Sequence, residues 1–229
     1  MGNEEQKMKR LAPSMLSADF AELKEQIQII ETSGAQYLHL DIMDGHFVPN
    51  LTFGAPVVKC LRKHSKMFFD VHLMIEQPEK YFNDFVSAGA DLLNVHVETV
   101  DDLPEAVRQI HALGVKAGVT IKPDTSLSAV YPVLDQVDMI LVMTVYPGFS
   151  GQKLIPEALQ KIPELFRIRQ NGGYRFDIEI DGGVGLQNLR QVMETGVDVV
   201  VAGSAVFGAA DPGQACQEFL TIMQEYDRA

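Results

Sequence analysis

Four short runs of this chain alternate apolar and polar residues in the same phase, and their polar members are of kinds that are costly to bury unpaired. Successive side chains of a strand point to opposite faces. In the run 37–43, Tyr37, His39, Asp41 and Met43 therefore share one face, and Leu38, Leu40 and Ile42 the other. The same split sets Asp70, His72 and Met74 against Phe69, Val71 and Leu73, and Asn94, His96 and Glu98 against Leu93, Val95 and Val97. A fourth run sets Asp177, Glu179 and Asp181 against Phe176, Ile178 and Ile180. Strands of a sheet covered by helices on both faces should read as nearly continuous apolar runs, so four polar faces in phase need an internal reason.

The surrounding pattern narrows the choice. Strands are expected at Leu11–Leu16, Tyr37–Met43, Met67–Met74, Leu92–Val97, Val115–Ile121, Met139–Val145, Phe176–Ile180 and Val199–Ala202, with helical patterns between them. Phe20–Ser33 carries Leu23, Ile27 and Ile30 on one face, with Gly34 placed as its stop. Gly89, Gly114 and Gly196 punctuate the chain in the same way before later strands. Strict alternation argues for a parallel sheet, either closed into a barrel or doubly wound, and periodicity alone does not separate the two. If the apolar strand faces meet the helices, the polar faces point into a barrel and their C-terminal members reach the rim where such barrels place catalysis.

Composition excludes several functions. With 19 Lys+Arg against 31 Asp+Glu, the net charge of −12 offers no basic field to nucleic acid or to an anionic membrane. No apolar stretch is long enough to span a bilayer. Cys60 and Cys216 form no framework or metal pair, which fits a reducing, cytoplasmic setting. Residues 1–10 are polar and mixed in charge, lack the apolar segment of a signal peptide, and are expected to form a flexible tail ahead of one catalytic domain over 11–229.

At the expected rim, His39, Asp41, His72 and Asp181 supply two imidazoles and two carboxylates, a reasonable donor set for one divalent ion of the Zn, Fe(II), Mn or Co type. His96 and Glu98 are in phase with them, as residues behind the ligands, substrate contacts or a structural pair. His64 and His111 fall in helical patterns and read as surface residues, and His46 lies in the loop after the second strand. Glycines cluster after the last three strands, at Pro147-Gly148-Phe149-Ser150-Gly151, Asp181-Gly182-Gly183 and Gly203-Ser204. Such loops let backbone N–H groups approach a phosphate, and a chain this acidic needs a neutral cradle of that kind to hold an anion. No Walker pattern is present, and no G-x-G-x-x-G follows the first strand.

Longer motifs carry a resemblance. Ser14-Met15-Leu16-Ser17-Ala18-Asp19-Phe20, His39-Leu40-Asp41-Ile42-Met43-Asp44-Gly45-His46-Phe47-Val48-Pro49-Asn50, Asp70-Val71-His72-Leu73-Met74, His96-Val97-Glu98, Met143-Thr144-Val145-Tyr146-Pro147-Gly148-Phe149, Asp181-Gly182-Gly183-Val184 and Ala202-Gly203-Ser204 resemble the signatures of the ribulose-phosphate 3-epimerase family, in order. The resemblance implies a single-domain (β/α)8 TIM barrel that interconverts D-ribulose 5-phosphate and D-xylulose 5-phosphate in the pentose phosphate pathway. By that resemblance His39, Asp41, His72 and Asp181 bind the metal, Asp41 accepts the proton and Asp181 donates it. Ser14 and His72 touch the sugar, while Gly148, Phe149, Ser150, Gly151, Gly182, Gly183, Gly203 and Ser204 surround the phosphate. Met43, Met74 and Met143, which spacing alone reads as core filler, become an apolar wall around the intermediate. The family commonly forms homo-oligomers. The chain departs at Tyr146 and Ser150, where many relatives carry Asn and Gly.

The chemistry agrees. Epimerising a carbon beside a ketone needs proton-transfer groups on both sides of one plane, and Asp41 and Asp181 come from well-separated strands. Metal ligation lowers carboxylate basicity, so each Asp is expected to bind through one oxygen and keep the other free. Related decarboxylases and synthases use an Asp-x-Lys-x-x-Asp strand motif, which Asp41-Ile42-Met43 lacks. An epimerase acting on a six-carbon ketose phosphate, a metal-dependent phosphosugar hydrolase and a non-catalytic sugar-phosphate sensor are the alternatives.

Overall fold

A computed structural model describes residues 8–227. Its strands are β1 (Arg10–Pro13), β2 (Tyr37–Met43), β3 (Phe68–Met74), β4 (Leu92–His96), β5 (Lys116–Ile121), β6 (Met139–Met143), β7 (Asp177–Asp181) and β8 (Val199–Ala202). All neighbours pair in parallel, in the order β1-β8-β7-β6-β5-β4-β3-β2, and a Ser14–His39 bridge joins the two ends into a closed barrel. The doubly wound alternative is thereby removed. Around the barrel run α1 (Leu23–Thr32), α2 (Ala55–Arg62), α3 (Phe82–Ala88), α4 (Leu103–Ala112), α5 (Pro156–Leu159), α6 (Lys161–Gly172), α7 (Leu189–Met193), α8 (Ser204–Phe207) and α9 (Pro212–Gln224).

The strand faces divide as their alternation requires. Leu38, Leu40, Ile42, Phe69, Val71, Leu73, Ile178 and Ile180 belong to one apolar layer with helix residues such as Ile27, Ile30, Val58 and Ile162. The opposite faces fill the barrel. Toward its N-terminal end they form an apolar plug of Ala12, Tyr37, Leu92, Met139 and Val199, and Val201 of the same cluster reaches the floor of the cavity above. Above the plug the interior turns polar, with His39, Asp70, His72, Asn94, His96 and Glu179 all fully buried.

Several boundaries differ from the sequence reading, each for a local reason. β1 ends at Pro13 rather than Leu16, because the Ser14 hydroxyl accepts from Leu16 N and caps a 3-10 turn over Met15–Ser17. α1 begins at Leu23 rather than Phe20, and Asp19 accepts from Ala21 N in the preceding turn. β6 stops at Met143, where Thr144 turns to hydrogen-bond the carbonyls of Asp181 and Gly182. The β5–β6 connection is a 3-10 segment, Leu127–Val133, because Pro132 interrupts any α-helix there. His64 follows α2 in an exposed turn instead of lying in a helix, while His111 lies in α4 as expected. The helix-stop glycines Gly34, Gly89, Gly114 and Gly196 all take left-handed φ, between 85° and 105°.

Most of the expected tail, residues 1–7, lies outside the described residues, but Lys9 reaches Val197 O at 2.8 Å and Arg10, the first residue of β1, pairs with Asp177 at 2.8 Å. These contacts close the N-terminal end of the barrel.

A repeated device organises the same end. Asp91, Asp138 and Asp198 stand just before β4, β6 and β8, and each carboxylate accepts the backbone N–H of the preceding strand, from Phe69, Ala117 and Ile178 at 2.7, 2.9 and 2.9 Å. Each also meets a cationic or imidazole side chain from the helix ahead of that strand: Arg62, His111 and Arg169 respectively. Three copies of one hydrogen-bonding unit fix the strand register from below.

Candidate active site

The C-terminal ends of the strands open into a cavity of about 640 Å³. Ser14, Asp41, Met43, Met74, Met143, Gly148, Phe149, Ser150, Gly151, Asp181, Gly182, Gly183, Gly203 and Ser204 all line it, so the residues singled out from the sequence converge on one space. His39 and His72 do not line the cavity themselves. They are fully buried, with their ring nitrogens turned toward the carboxylates at its floor.

Register places those groups. β2 and β3 pair His39 with Asp70, Asp41 with His72 and Met43 with Met74, so an imidazole and a carboxylate alternate across two adjacent strands. β6 and β7 pair Met143 with Asp181 on the far side. His39 Nε2 lies 3.2 Å from His72 Nδ1, and these atoms lie 3.3 and 3.4 Å from Asp41 Oδ1 and 3.9 Å each from Asp181 Oδ2. One donor atom from each of the four residues falls within 4.8 Å of all the others. Two imidazole nitrogens and two carboxylate oxygens so close suit a divalent transition metal, and among the described residues no Lys or Arg forms an ion pair with either acid. The second oxygen of Asp41 is not free. It accepts the Ser14 hydroxyl at 2.5 Å.

The two carboxylates are driven in opposite directions. Burial pushes Asp41 up, but His39 and His72 outweigh it and hold the group far below the ordinary carboxylate range. Asp181 is pushed up to about 6 by burial and by the Asp41 charge, against the opposing pull of the same imidazoles. His39, although burial lowers it, is raised by Asp41 and Asp70. Behind the rim, Glu179 is raised by burial and by Asp70, and His96 falls to about 4 through burial and the pull of His72, only partly offset by Glu98. Two carboxylates whose proton affinities are displaced in opposite directions thus share a cavity floor.

The loops are tied to one another. Asn50 donates to Gly148 O at 2.8 Å, joining the β2 and β6 loops, and Gln152 donates to Tyr146 O and Phe149 O at 2.7 and 2.9 Å. Asp44 accepts from the amides of His46, Phe47 and Glu76, so the β2 loop is built around one carboxylate. His46 itself is exposed. Gly183 (φ 71°) lies so close to the β6 loop that a Cβ there would sit 2.2 Å from Leu154 N. Tyr146 and Phe149 stand exposed at the mouth.

Sequence reading missed some contributors. Ser17 lines the cavity with a buried hydroxyl that has no partner. It was visible only as part of a motif, because a 3-10 turn carries no periodic signal. Asp70 accepts from His39 Nδ1 at 2.5 Å and Asn94 Nδ2 donates to Asp70 at 2.7 Å, forming a layer beneath the rim. Strand parity showed both residues facing inward, but only the register shows which group each one meets.

This architecture defines a (β/α)8 barrel enzyme with a buried two-histidine, two-aspartate centre facing glycine-rich loops. Residues 10–207 match the model of the ribulose-phosphate 3 epimerase family. The chain is 47% identical over 208 residues to the ribulose-phosphate 3-epimerase of Treponema pallidum, covering 91% of this chain and 95% of that protein. It is 45% identical over 212 residues to the Bacillus subtilis ribulose-phosphate 3-epimerase, covering 92% and 98%. Among solved structures, 3-hexulose-6-phosphate synthase from Salmonella typhimurium superposes with a TM-score of 0.72 over 96% of this chain and 100% of that one; at 19% identity it shares the fold alone. The chain belongs to the ribulose-phosphate 3-epimerase family and is an epimerase, an enzyme of the isomerase class. Among the described residues no helix is long and apolar enough to cross a membrane.

Proposed function

We propose that the chain interconverts D-ribulose 5-phosphate and D-xylulose 5-phosphate by moving the proton at C3, with one divalent cation held by His39, Asp41, His72 and Asp181. The observation that carries this reading is the pair of carboxylates, Asp41 and Asp181, brought from well-separated strands onto one cavity floor beside the ring nitrogens of His39 and His72. When bound, such a cation supplies positive charge that acidifies the C3 hydrogen and offsets the charge of the enediolate.

The chain's own groups do the rest. Asp41 arrives ionised, is steadied by the Ser14 hydroxyl, and takes the C3 proton from one face. Asp181, on the same cavity floor and from a well-separated strand, returns one to the other face. In the reverse direction the roles exchange. A free carboxylate is a weak base at neutral pH, and acid–base transfer contributes roughly 3–5 kcal/mol, so the remainder of the barrier falls to charge stabilisation of the enediolate. Met43, Met74 and Met143 lie against the floor and keep water from the intermediate. The segments at Gly148–Gly151, Gly182–Gly183 and Gly203–Ser204 offer backbone N–H groups to the phosphate, and the unpartnered Ser17 hydroxyl adds a donor beside Gly203.

An NMR assay of ribulose 5-phosphate in D₂O, with and without added divalent metal, tests substrate, reaction and cofactor together. Deuterium entering C3 with xylulose 5-phosphate as product, lost on chelation and restored by metal, is the expected result. Phosphate release, preference for a six-carbon ketose phosphate, or binding without exchange replaces this reading with the hydrolase, the other epimerase or the sensor.

A further inference from the structure

The two histidines of the site present different ring nitrogens to it, Nε2 from His39 and Nδ1 from His72, and each is backed by its own chain of acceptors. The geometry points to Asp70 and the His96–Glu98 pair as positioning residues that lock His39 and His72 in opposite tautomers, leaving one bare nitrogen on each ring to face the cation. This inference rests on the proposed reading of the four residues as a cation site.

The His72 chain can be followed atom by atom. Glu98 is a carboxylate and can only accept. Its Oε1 takes Lys122 N–H at 3.1 Å and the Thr125 hydroxyl, and its Oε2 lies 3.1 Å from His96 Nδ1. His96 Nδ1 therefore carries the proton, and a neutral ring with its proton there has a bare Nε2. That bare nitrogen is 2.9 Å from His72 Nε2, so His72 must donate from Nε2, which leaves His72 Nδ1 unprotonated toward Asp41. Phe47, whose ring centroid is 4.7 Å from that of His96, covers the relay from above.

The His39 chain is shorter. Asp70 Oδ1 is held by the Asn94 amide at 2.7 Å, and Asp70 Oδ2 accepts from His39 Nδ1 at 2.5 Å. A neutral His39 ring with its proton on Nδ1 has its Nε2 bare toward the site. Asp70, Asn94, His96 and Glu98 do not line the cavity. Each chain acts by orienting a ligand, the role that hydrogen-bond partners behind metal-bound histidines commonly play.

Isosteric amides invert both chains. In Glu98→Gln the donors at Lys122 and Thr125 keep the amide oxygen where Oε1 was, so the NH₂ points at His96 Nδ1. His96 must then accept at Nδ1 and donate from Nε2, which drives the His72 proton onto Nδ1 and blocks the nitrogen facing the cation. Asp70→Asn does the same to His39, because the Asn94 amide holds the new oxygen and the NH₂ faces Nδ1. Size and shape hardly change in either variant.

Zinc is the probe, read by competition binding and by ¹⁵N NMR of histidine-labelled protein. Expected are zinc coordination through His39 Nε2 and His72 Nδ1, a His96 proton on Nδ1, and roughly 10–100-fold weaker zinc binding in each amide variant. Unchanged zinc affinity in both variants, coordination through His72 Nε2, or a His96 proton on Nε2 overturns the inference. If Asp70→Asn does not fold, the His39 spectrum of the unaltered protein decides its half, and Glu98→Gln, at a side chain 17% exposed, decides the other. Should the unaltered protein take up no zinc, the cation reading fails separately. The metal-free spectrum then settles the relay by the position of the His96 proton.

Discussion

Acids crowd both ends of this barrel, but the two ends treat them differently. At the N-terminal end Asp177, Asp198 and Asp91 meet Arg10, Arg169 and Arg62, and Asp198 also meets Lys9. At the C-terminal end Asp41 and Asp181 form ion pairs only with imidazoles among the described residues. The lower acids are neutralised within the chain and support the fold. Of the upper ones, Asp41 is held ionised by the two imidazoles, whereas Asp181 has no Lys or Arg partner and is pushed up to about 6 by burial and the Asp41 charge. A site that keeps carboxylates unneutralised is paid for in stability and gains a place for a cation and a movable proton.

The sharpest way to break this comparison is Asp181→Asn. Under the proposed mechanism its steady-state epimerisation falls by about 10³-fold or more, since one of two proton-transfer groups is gone. Exchange of the C3 hydrogen with solvent persists for one epimer through Asp41, which a deuterium wash-in assay reads. Turnover within tenfold of the unaltered protein sinks the two-carboxylate mechanism.

Much of this contrast was legible in the chain and some was not. The alternation in 37–43 and 177–181 placed His39, Asp41 and Asp181 inside a barrel and at its rim, because period-two side-chain direction is a strictly local property. The glycine clusters after three strands marked the cavity wall for the same kind of reason. The lower end was less readable. Asp91, Asp138 and Asp198 occur in the similar strings Gly-Ala-Asp, Gln-Val-Asp and Gly-Val-Asp, yet their task appears only when the preceding strand brings its N–H alongside. The partners Arg62, His111 and Arg169 lie 27 to 29 residues away in sequence, beyond the reach of any local pattern. The same holds for the tie between Asp70 and His39, 31 residues apart.

Removing a lower acid should have the opposite signature. Asp198 is almost fully buried and accepts from both Arg169 and Ile178 N, so Asp198→Asn leaves a buried guanidinium without its counter-charge. A loss of about 3–5 kcal/mol in urea unfolding is expected, with turnover per folded molecule unchanged. An equal loss of turnover would show that the two ends are not independent.

The pH dependence of the metal-free protein sharpens the contrast further. Asp181 has a folded pKa raised to about 6 from an ordinary value near 4, so protonation favours the fold. Its contribution is whole below about pH 4 and is lost as the pH rises through 6, a change of up to about 3 kcal/mol for two pKa units. His39, also raised, adds a loss of the same sign on the alkaline side. Asp41 works the other way, but its contribution is complete above the ordinary carboxylate range near pH 4 and is lost only as the pH falls below it. Metal-free protein should therefore lose stability as the pH rises from about 4 through 6, with Glu179, also raised, adding a loss of the same sign, and Asp181→Asn should make that slope shallower. Parallel stability curves for the two proteins would remove the claim that the rim acid is strained by its charge.

The smallest expected effect separates geometry from burial within the lower device itself. Asp91, Asp138 and Asp198 accept their strand N–H at nearly the same distance, 2.7 to 2.9 Å, so hydrogen-bond length does not rank them. Exposure does. Asp198 and its Arg169 partner have side chains 2% and 9% exposed, whereas Asp138 and His111 are 32% and 40% exposed. Solvent already screens the second pair, and an amide oxygen can still accept Ala117 N–H. Asp138→Asn should thus cost about 0.5 kcal/mol, several-fold less than Asp198→Asn, in the same unfolding assay. Equal costs would mean that the strand N–H contact, common to all three, carries the device. The expected gradient instead makes desolvation the source of its strength, and the same burial acts on the rim acids without a Lys or Arg to answer it.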